Sequence, residues 1–187
     1  AKKIIYSSER IKPGQGELRH ATTLSMDIRG FTKFTSQSTP SAVMDLLADY
    51  QKRVVPVIIR HGGSIDKFMG DGILAHFGAA EVNSTYAADA LRAVTELDTL
   101  IANWNAEKRK NQKDPLKLGI SLATGNIIFG AVGDEDRLEF TIIGDAVNLA
   151  AKLEKHTKTA GALILCCHET FSLAQKQGFV PQEDVEL

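Results

Sequence analysis

The spacing of apolar positions changes from two to about three and a half and back again along the first half of the chain. In "HATTLSMDI", residues 20–28, Leu24 and Met26 alternate with Thr23 and Ser25, which predicts a strand ending near Asp27. Thr39-Pro40 then supplies an N-cap and a first-turn proline. Val43, Leu47, Tyr50, Val54 and Val57 follow as the stripe of an amphipathic helix. Pro56, near the end of that stripe, is expected to kink or terminate it. "SIDKF" and "ILAHF" flank Gly70-Asp71-Gly72 and read as a hairpin, whose turn needs backbone dihedrals that Gly and Asp tolerate.

A second helix is expected from about Ser84 to Lys110. Its buried face is Ala87, Leu91, Val94, Ile101 and Trp104, and "EKRK" complements its negative end. Beyond Pro115, "LKLGISLATG", "NIIFGAVG" and "LEFTII" look like strands, with "DEDR" as a polar turn. A helix from Asp145 to about His156 and a strand "ALILC" follow, and the pattern weakens from Glu169. This order predicts an α+β fold, a sandwich with a mainly antiparallel sheet. Its core is βαββαβ with both helices on one sheet face, extended by a C-terminal strand and helix.

Bulk properties narrow the picture. A chain of 187 residues with 43% apolar content suits one domain. Residues 1–19, polar and punctuated by "KPGQGEL", read as an N-terminal arm or linker, leaving 20–187 as the domain. The formal net charge of -1 offers no global attraction for nucleic acid. No run approaches the roughly 18 apolar residues of a membrane span. Cys166 and Cys167 are adjacent, which excludes a disulfide framework and points to a reducing cytoplasm. Ala1 in place of Met suggests a piece of a longer protein, with a regulatory or sensor domain outside it.

The chemistry gathers on carboxylates. Asp27 lies at the end of the first strand and Asp71 at the hairpin tip, and in a βαββαβ sheet these are central neighbours. Two carboxylates in proximity repel unless a cation sits between them, and oxygen-only ligation suits Mg²⁺ or Mn²⁺ shared with substrate phosphates. Ordinary turn chemistry also accounts for both residues. In "DIRGFT", Gly30 permits tight backbone. The N–H groups of Gly30, Phe31 and Thr32, ahead of a new helix, are candidates to cradle a phosphate.

"MDIRGFTKFT", "HGGSIDKFMGDGILAHFG" and "LEFTIIGDAVNLAAKLE" resemble the three signature segments of the class III nucleotidyl cyclase catalytic domain, in the family's order, over roughly Leu18 to Cys167. The resemblance implies a ferredoxin-like core and a head-to-tail homodimer with active sites between the two copies. It implies two divalent ions, Mg²⁺ or Mn²⁺, on Asp27, Asp71 and the carbonyl of Ile28. The implied reaction is attack of the ribose 3′-hydroxyl on the α-phosphate of ATP, giving 3′,5′-cyclic AMP and pyrophosphate.

Further roles follow from the same resemblance. Lys67 matches the purine-reading position, where a donor suits adenine and guanylate cyclases usually carry Glu. Thr141 stands at the partner position, where many adenylate cyclases have Asp. A Thr there resembles a subgroup that includes bicarbonate-responsive cyclases, so bicarbonate sensitivity at fixed pH is a hypothesis to assay. Asn148 matches the ribose-orienting Asn. Lys152 stands where the family usually has Arg against the α-phosphate, which keeps the charge and loses the planar fork.

That departure leaves open a catalytically weakened domain that binds nucleotide and regulates a partner. Guanylate cyclase activity is disfavoured by Lys67. Diguanylate cyclase activity is disfavoured because "GDED" lies away from the hairpin that reads "MGDG". His76 and the pair Cys166 and Cys167 read as structural, and Phe68, Phe77, Phe129 and Phe140 as core or interface filler.

Overall fold

The first strand, β1 (Gly16–Ile28), lies in the middle of the sheet and is paired on both edges. The structure, a computed structural model, describes residues 14–133 and 138–181. Helices α1 (Phe31–Gln37) and α2 (Pro40–Arg60) follow, then the hairpin β2 (Ser64–Met69) and β3 (Gly72–Phe77), then α3 (Tyr86–Lys110). β4 (Leu118–Gly133), β5 (Leu138–Ile143), α4 (Asp145–Ala160), β6 (Ile164–Cys166) and α5 (His168–Lys176) complete the order. The sheet runs β2-β3-β1-β4-β5, with β6 parallel on β4. Its antiparallel β2-β3-β1-β4 portion, with α2 and α3, is the expected βαββαβ core.

Alternation along the strands separates two faces. Leu24, Met26 and Ile28 of β1, with Ile120 and Leu122 of β4, point to one side. They pack with Tyr50, Val54 and Ile58 of α2, Leu91, Val94 and Leu97 of α3, and Phe171 of α5. This is the main core. Ala21, Leu74, Ile127, Phe129 and Ile142 face the other side, where Ala146 of α4 covers them. The helices α2 and α3 therefore share one face, and α4 lies on the opposite one.

Several local expectations change. The segment 118–133, read as two strands, is one strand of 16 residues, because β1 pairs with it along the whole length, through Ala21↔Gly125. Its other edge is divided: β6 takes Ile120 to Leu122 and β5 takes Ile128 to Gly133. Helix α2 continues through Pro56 to Arg60, with Val57 and Ile58 buried. Burial of those side chains holds the last turn despite the missing N–H.

The hairpin turn consists of Gly70 and Asp71, and Gly70 alone takes the positive φ, at 67°. Phe77 and Phe129 are core residues, whereas Phe68 and Phe140 are exposed and the two cysteines are half-buried. The expected polar turn at 134–137 and most of the expected N-terminal arm lie outside the described residues, but Gly16 to Arg19, expected in that arm, belong to β1, where they pair with Gly130 to Ile127 of β4. No helix among the described residues is long and apolar enough to cross a membrane.

Candidate active site

Pairing of β3 with β1, ending at Met26↔Ile73, carries the hairpin tip to the end of β1. There the Asp71 carboxylate accepts a hydrogen bond from the Ile28 backbone N–H at 3.0 Å. Asp27, Ile28 and Asp71 are thus brought together, as expected from the sequence. Burial pushes the Asp71 carboxyl above its ordinary range; the Ile28 N–H opposes this and the charge of Asp27 adds to it.

A third carboxylate was not foreseen. Opposite Asp27 on β4 stands Gly119, where a Cβ would lie 2.4 Å from Glu154 Oε1 and 2.7 Å from Thr157 Oγ1. The absent side chain lets α4 lay Glu154 beside Asp27. Burial first, then the hydrogen bond to Asp27 and its charge, push Glu154 up to about 7, while Arg29 and Lys155 oppose the shift. Beneath them, the fully buried Tyr50 hydroxyl has no hydrogen-bond partner. Burial, Asp71, Asp27 and Glu154 all raise its pKa. A sequence signal for Glu154 exists: it continues the buried α4 stripe Ala146, Ala150, Thr157.

This concentration of negative charge, with oxygen donors throughout, suits a hard divalent cation. Among the described residues no group of three or more His, Cys, Asp or Glu is placed to hold a metal. A cation on Asp27 and Asp71 would therefore complete its shell with backbone carbonyl, water or ligand oxygens. Such a shell fits Mg²⁺ or Mn²⁺ shared with phosphates.

Away from the tip, Lys67 and Thr141 converge on one carboxylate, that of Asp66, another residue that sequence reasoning missed. Thr141 Oγ1 donates to Asp66 Oδ2 at 3.0 Å, and Lys67 Nζ lies 3.4 Å from the same oxygen. Asp66 Oδ1 accepts from the Ile142 backbone N–H at 3.0 Å. β2 and β5 are the two ends of the strand order, so the sheet curls until a side chain on one edge reaches the backbone of the other.

Gly30 is the N-cap of α1, and it supplies no capping side chain, so the first-turn N–H groups at Phe31 and Thr32 have no side-chain cap. Asn148 and Lys152 are not brought to the carboxylates. Both are exposed, one helical turn apart, on the side of α4 opposite its buried stripe of Ala146, Ala150 and Glu154.

The fold and this arrangement of carboxylates mark a candidate site, and comparison with known proteins says to which family the chain belongs. The family model for the adenylate and guanylate cyclase catalytic domain matches residues 15–187. The chain belongs to that family. It is 33% identical to an adenylate cyclase of Anabaena cylindrica, over 88% of this chain and 34% of the relative. It is 28% identical to adenylate cyclase 1 of Rhizobium meliloti, over 79% of this chain and 22% of the relative. The chain spans about a third or less of these curated relatives.

Among solved structures, the guanylyl cyclase Cya2 aligns with a TM-score of 0.76 and 32% identity, covering 85% of this chain and 80% of that one. The adenylyl cyclase CyaB from P. aeruginosa aligns with a TM-score of 0.69 and 30% identity, covering 87% and 83%. The domain is a nucleotidyl cyclase domain, and its relatives include both purine specificities.

Proposed function

We propose that this domain converts ATP to 3′,5′-cyclic AMP and pyrophosphate, as a homodimer that shares its sites between two copies. The observation that supports this reading is the Asp71 carboxylate held on the Ile28 N–H beside Asp27, an oxygen-donor pair whose chemistry suits divalent cations. Asp27, Asp71 and the Ile28 carbonyl would hold two such ions, Mg²⁺ or Mn²⁺. When bound, these supply Lewis-acid activation of the ribose 3′-hydroxyl and neutralise the triphosphate.

The chain's own residues do the rest. Lys67 donates to adenine N1 and Thr141 accepts from the exocyclic amine. The Asn148 amide orients the ribose, and Lys152 stabilises negative charge on the α-phosphate as the bond to pyrophosphate breaks. The α1 N-terminus, at Gly30, Phe31 and Thr32, offers N–H groups to a phosphate.

Sharing between copies is supported by where Asn148 and Lys152 stand, on the far side of α4 from their own carboxylates. Exposed apolar side chains also lie on β4 and β5, where Ile128, Val132, Leu138, Phe140 and Ile143 are between 38% and 52% exposed, and on α4 Leu149 adjoins Asn148. A cytoplasmic setting agrees with two free, adjacent cysteines. Regulation from a sensor domain outside this chain agrees with how small a part of its relatives it matches.

The test is product analysis after incubation with ATP or GTP and each metal. Cyclic AMP from ATP is expected, and cyclic GMP as the main product overturns the base assignment. Mixing Asp71→Ala chains with Asn148→Ala chains should restore one intact site per heterodimer, and no recovery overturns the shared site. A second reading, a weakened domain that binds nucleotide and regulates a partner, is favoured by Lys152 in place of Arg. Binding of ATP with Mn²⁺ and no cyclic product supports it.

A further inference from the structure

A hydroxyl group is ambivalent toward a purine. It accepts from the adenine amine or donates to guanine O6 with equal ease, so Thr141 alone carries no preference between the two bases. The structure removes that ambivalence. Thr141 is 8% exposed, and its hydroxyl hydrogen is committed to Asp66 Oδ2 at 3.0 Å, which leaves only lone pairs to face a ligand.

The Asp66 side chain is 1% exposed and cannot turn away, because its Oδ1 is held by the Ile142 N–H at 3.0 Å. A break in the β2–β3 register between Ile65 and Lys67 explains the geometry. In a regular strand, adjacent residues point to opposite faces, whereas a bulge re-aims a side chain. Here it sets Asp66 and Lys67 on one side, with Lys67 Nζ 3.4 Å from Asp66 Oδ2.

We propose that Asp66 is a positioning residue for purine specificity: it fixes the Thr141 hydroxyl as an acceptor and anchors the Lys67 ammonium as the donor beside it, a pair complementary to adenine and mismatched to guanine. The proposal rests on the reading of Lys67 and Thr141 as the base-facing pair.

Adenine presents an acceptor at N1 and a donor at its amine, whereas guanine presents a donor at N1 and an acceptor at O6. A lysine with an acceptor-only threonine matches the first edge at both points and the second at neither. Replacing Asp66 by Asn keeps an oxygen for the Ile142 N–H and turns an amide N–H toward Thr141. The threonine hydroxyl then accepts from that amide and points its own hydrogen toward the base, where it suits guanine O6.

The experiment measures kcat/KM for ATP and for GTP with Mn²⁺ on the dimeric domain. GTP is scored as an inhibitor of the ATP reaction if its own turnover is below detection. Asp66→Asn is expected to lower the ATP:GTP ratio at least tenfold. In a Thr141→Val background the same change should move the ratio several-fold less than it does in the parent, since no hydroxyl remains to be turned and only the Lys67 anchor is lost. A merely structural role would lower both substrates together and leave the ratio alone.

Should Asp66→Asn fail to fold, Thr141→Val alone decides. Loss of an acceptor lowers kcat/KM for ATP about tenfold and leaves GTP within twofold, whereas equal losses on both overturn the proposal. If Lys67→Glu and Thr141→Val shift the ratio while folded Asp66→Asn does not, the base-facing pair stands and Asp66 has no part in selection. If none of the three shifts it, the base-facing reading itself fails, and the proposal with it.

Discussion

Asp66 and Asp71 sit on one hairpin and make the same first bond, yet they do opposite work. Each accepts a backbone N–H from a strand outside the hairpin, Asp71 from Ile28 and Asp66 from Ile142, both at 3.0 Å. Around Asp66 the other neighbours are donors, the Thr141 hydroxyl and the Lys67 ammonium, and its side chain is 1% exposed. Around Asp71 the close charged neighbour is another carboxylate, Asp27, which raises its pKa further. A carboxylate ringed by donors holds structure in place. A carboxylate facing a carboxylate, beside solvent, carries unrelieved repulsion that a cation would offset.

The largest effect that would break this contrast is on activity at the tip. Asp71→Ala should lower cyclic nucleotide formation on the order of 10²-fold or more in a steady-state assay with either metal. Stability should respond in the other direction. Burial and Asp27 raise the folded-state pKa of Asp71, so the ionised form costs stability that grows as pH rises above the ordinary carboxylate range. Metal-free Asp71→Asn, which can still accept from Ile28, should therefore melt at or above the parent at pH 7. A clearly lower melting temperature would show that Asp71 is structural after all.

Asp66→Ala should do the reverse and lower unfolding free energy by about 3 kcal/mol in urea titrations. It strands the Ile142 N–H and the Thr141 hydroxyl and leaves the Lys67 ammonium without its neighbour. A loss below about 1 kcal/mol would mean that the tie between β2 and β5 holds nothing together.

How much of this could be read from the chain follows the same division. Gly70-Asp71-Gly72 between apolar runs announces a hairpin, and the hairpin's place beside β1 follows from the βαββαβ order, so the Asp27–Asp71 pair was legible. Asp66 reads as a solvated strand charge, because its importance comes from β5, distant in sequence and at the far edge of the sheet. The one local sign was two consecutive charged residues, Asp66-Lys67, interrupting the alternation at what is a register shift. Glu154 hid for a related reason. Its approach to Asp27 depends on a glycine in another element, Gly119. The helices were legible from their stripes, whereas the continuity of β4 was not, since "ATGN" reads as a break and only pairing with β1 carries the strand through it.

The smallest of the expected effects uses His76 to sense which aspartate is which. His76 is 3% exposed on β3, edge-on to Phe129 at a centroid distance of 5.7 Å. Burial lowers its pKa to about 4, and the charge of Asp66 partly opposes that fall. The folded protein keeps this ring neutral while the unfolded chain takes up a proton near its ordinary value of 6.5. Stability therefore rises with pH between 4 and 6.5 and is lost as pH falls through that window. At pH 5 the loss relative to neutral pH is about 2 kcal/mol, and His76→Phe should remove that share of the acid sensitivity in denaturation curves. A variant as acid-sensitive as the parent would show that the ring is not held neutral. Neutralising Asp66 with Asn should lower the His76 pKa further in an NMR titration of the ring, because a supporting charge is gone. Neutralising Asp71 should leave it where it is, and equal shifts from both would erase the distinction between the buried aspartate and the one at the tip.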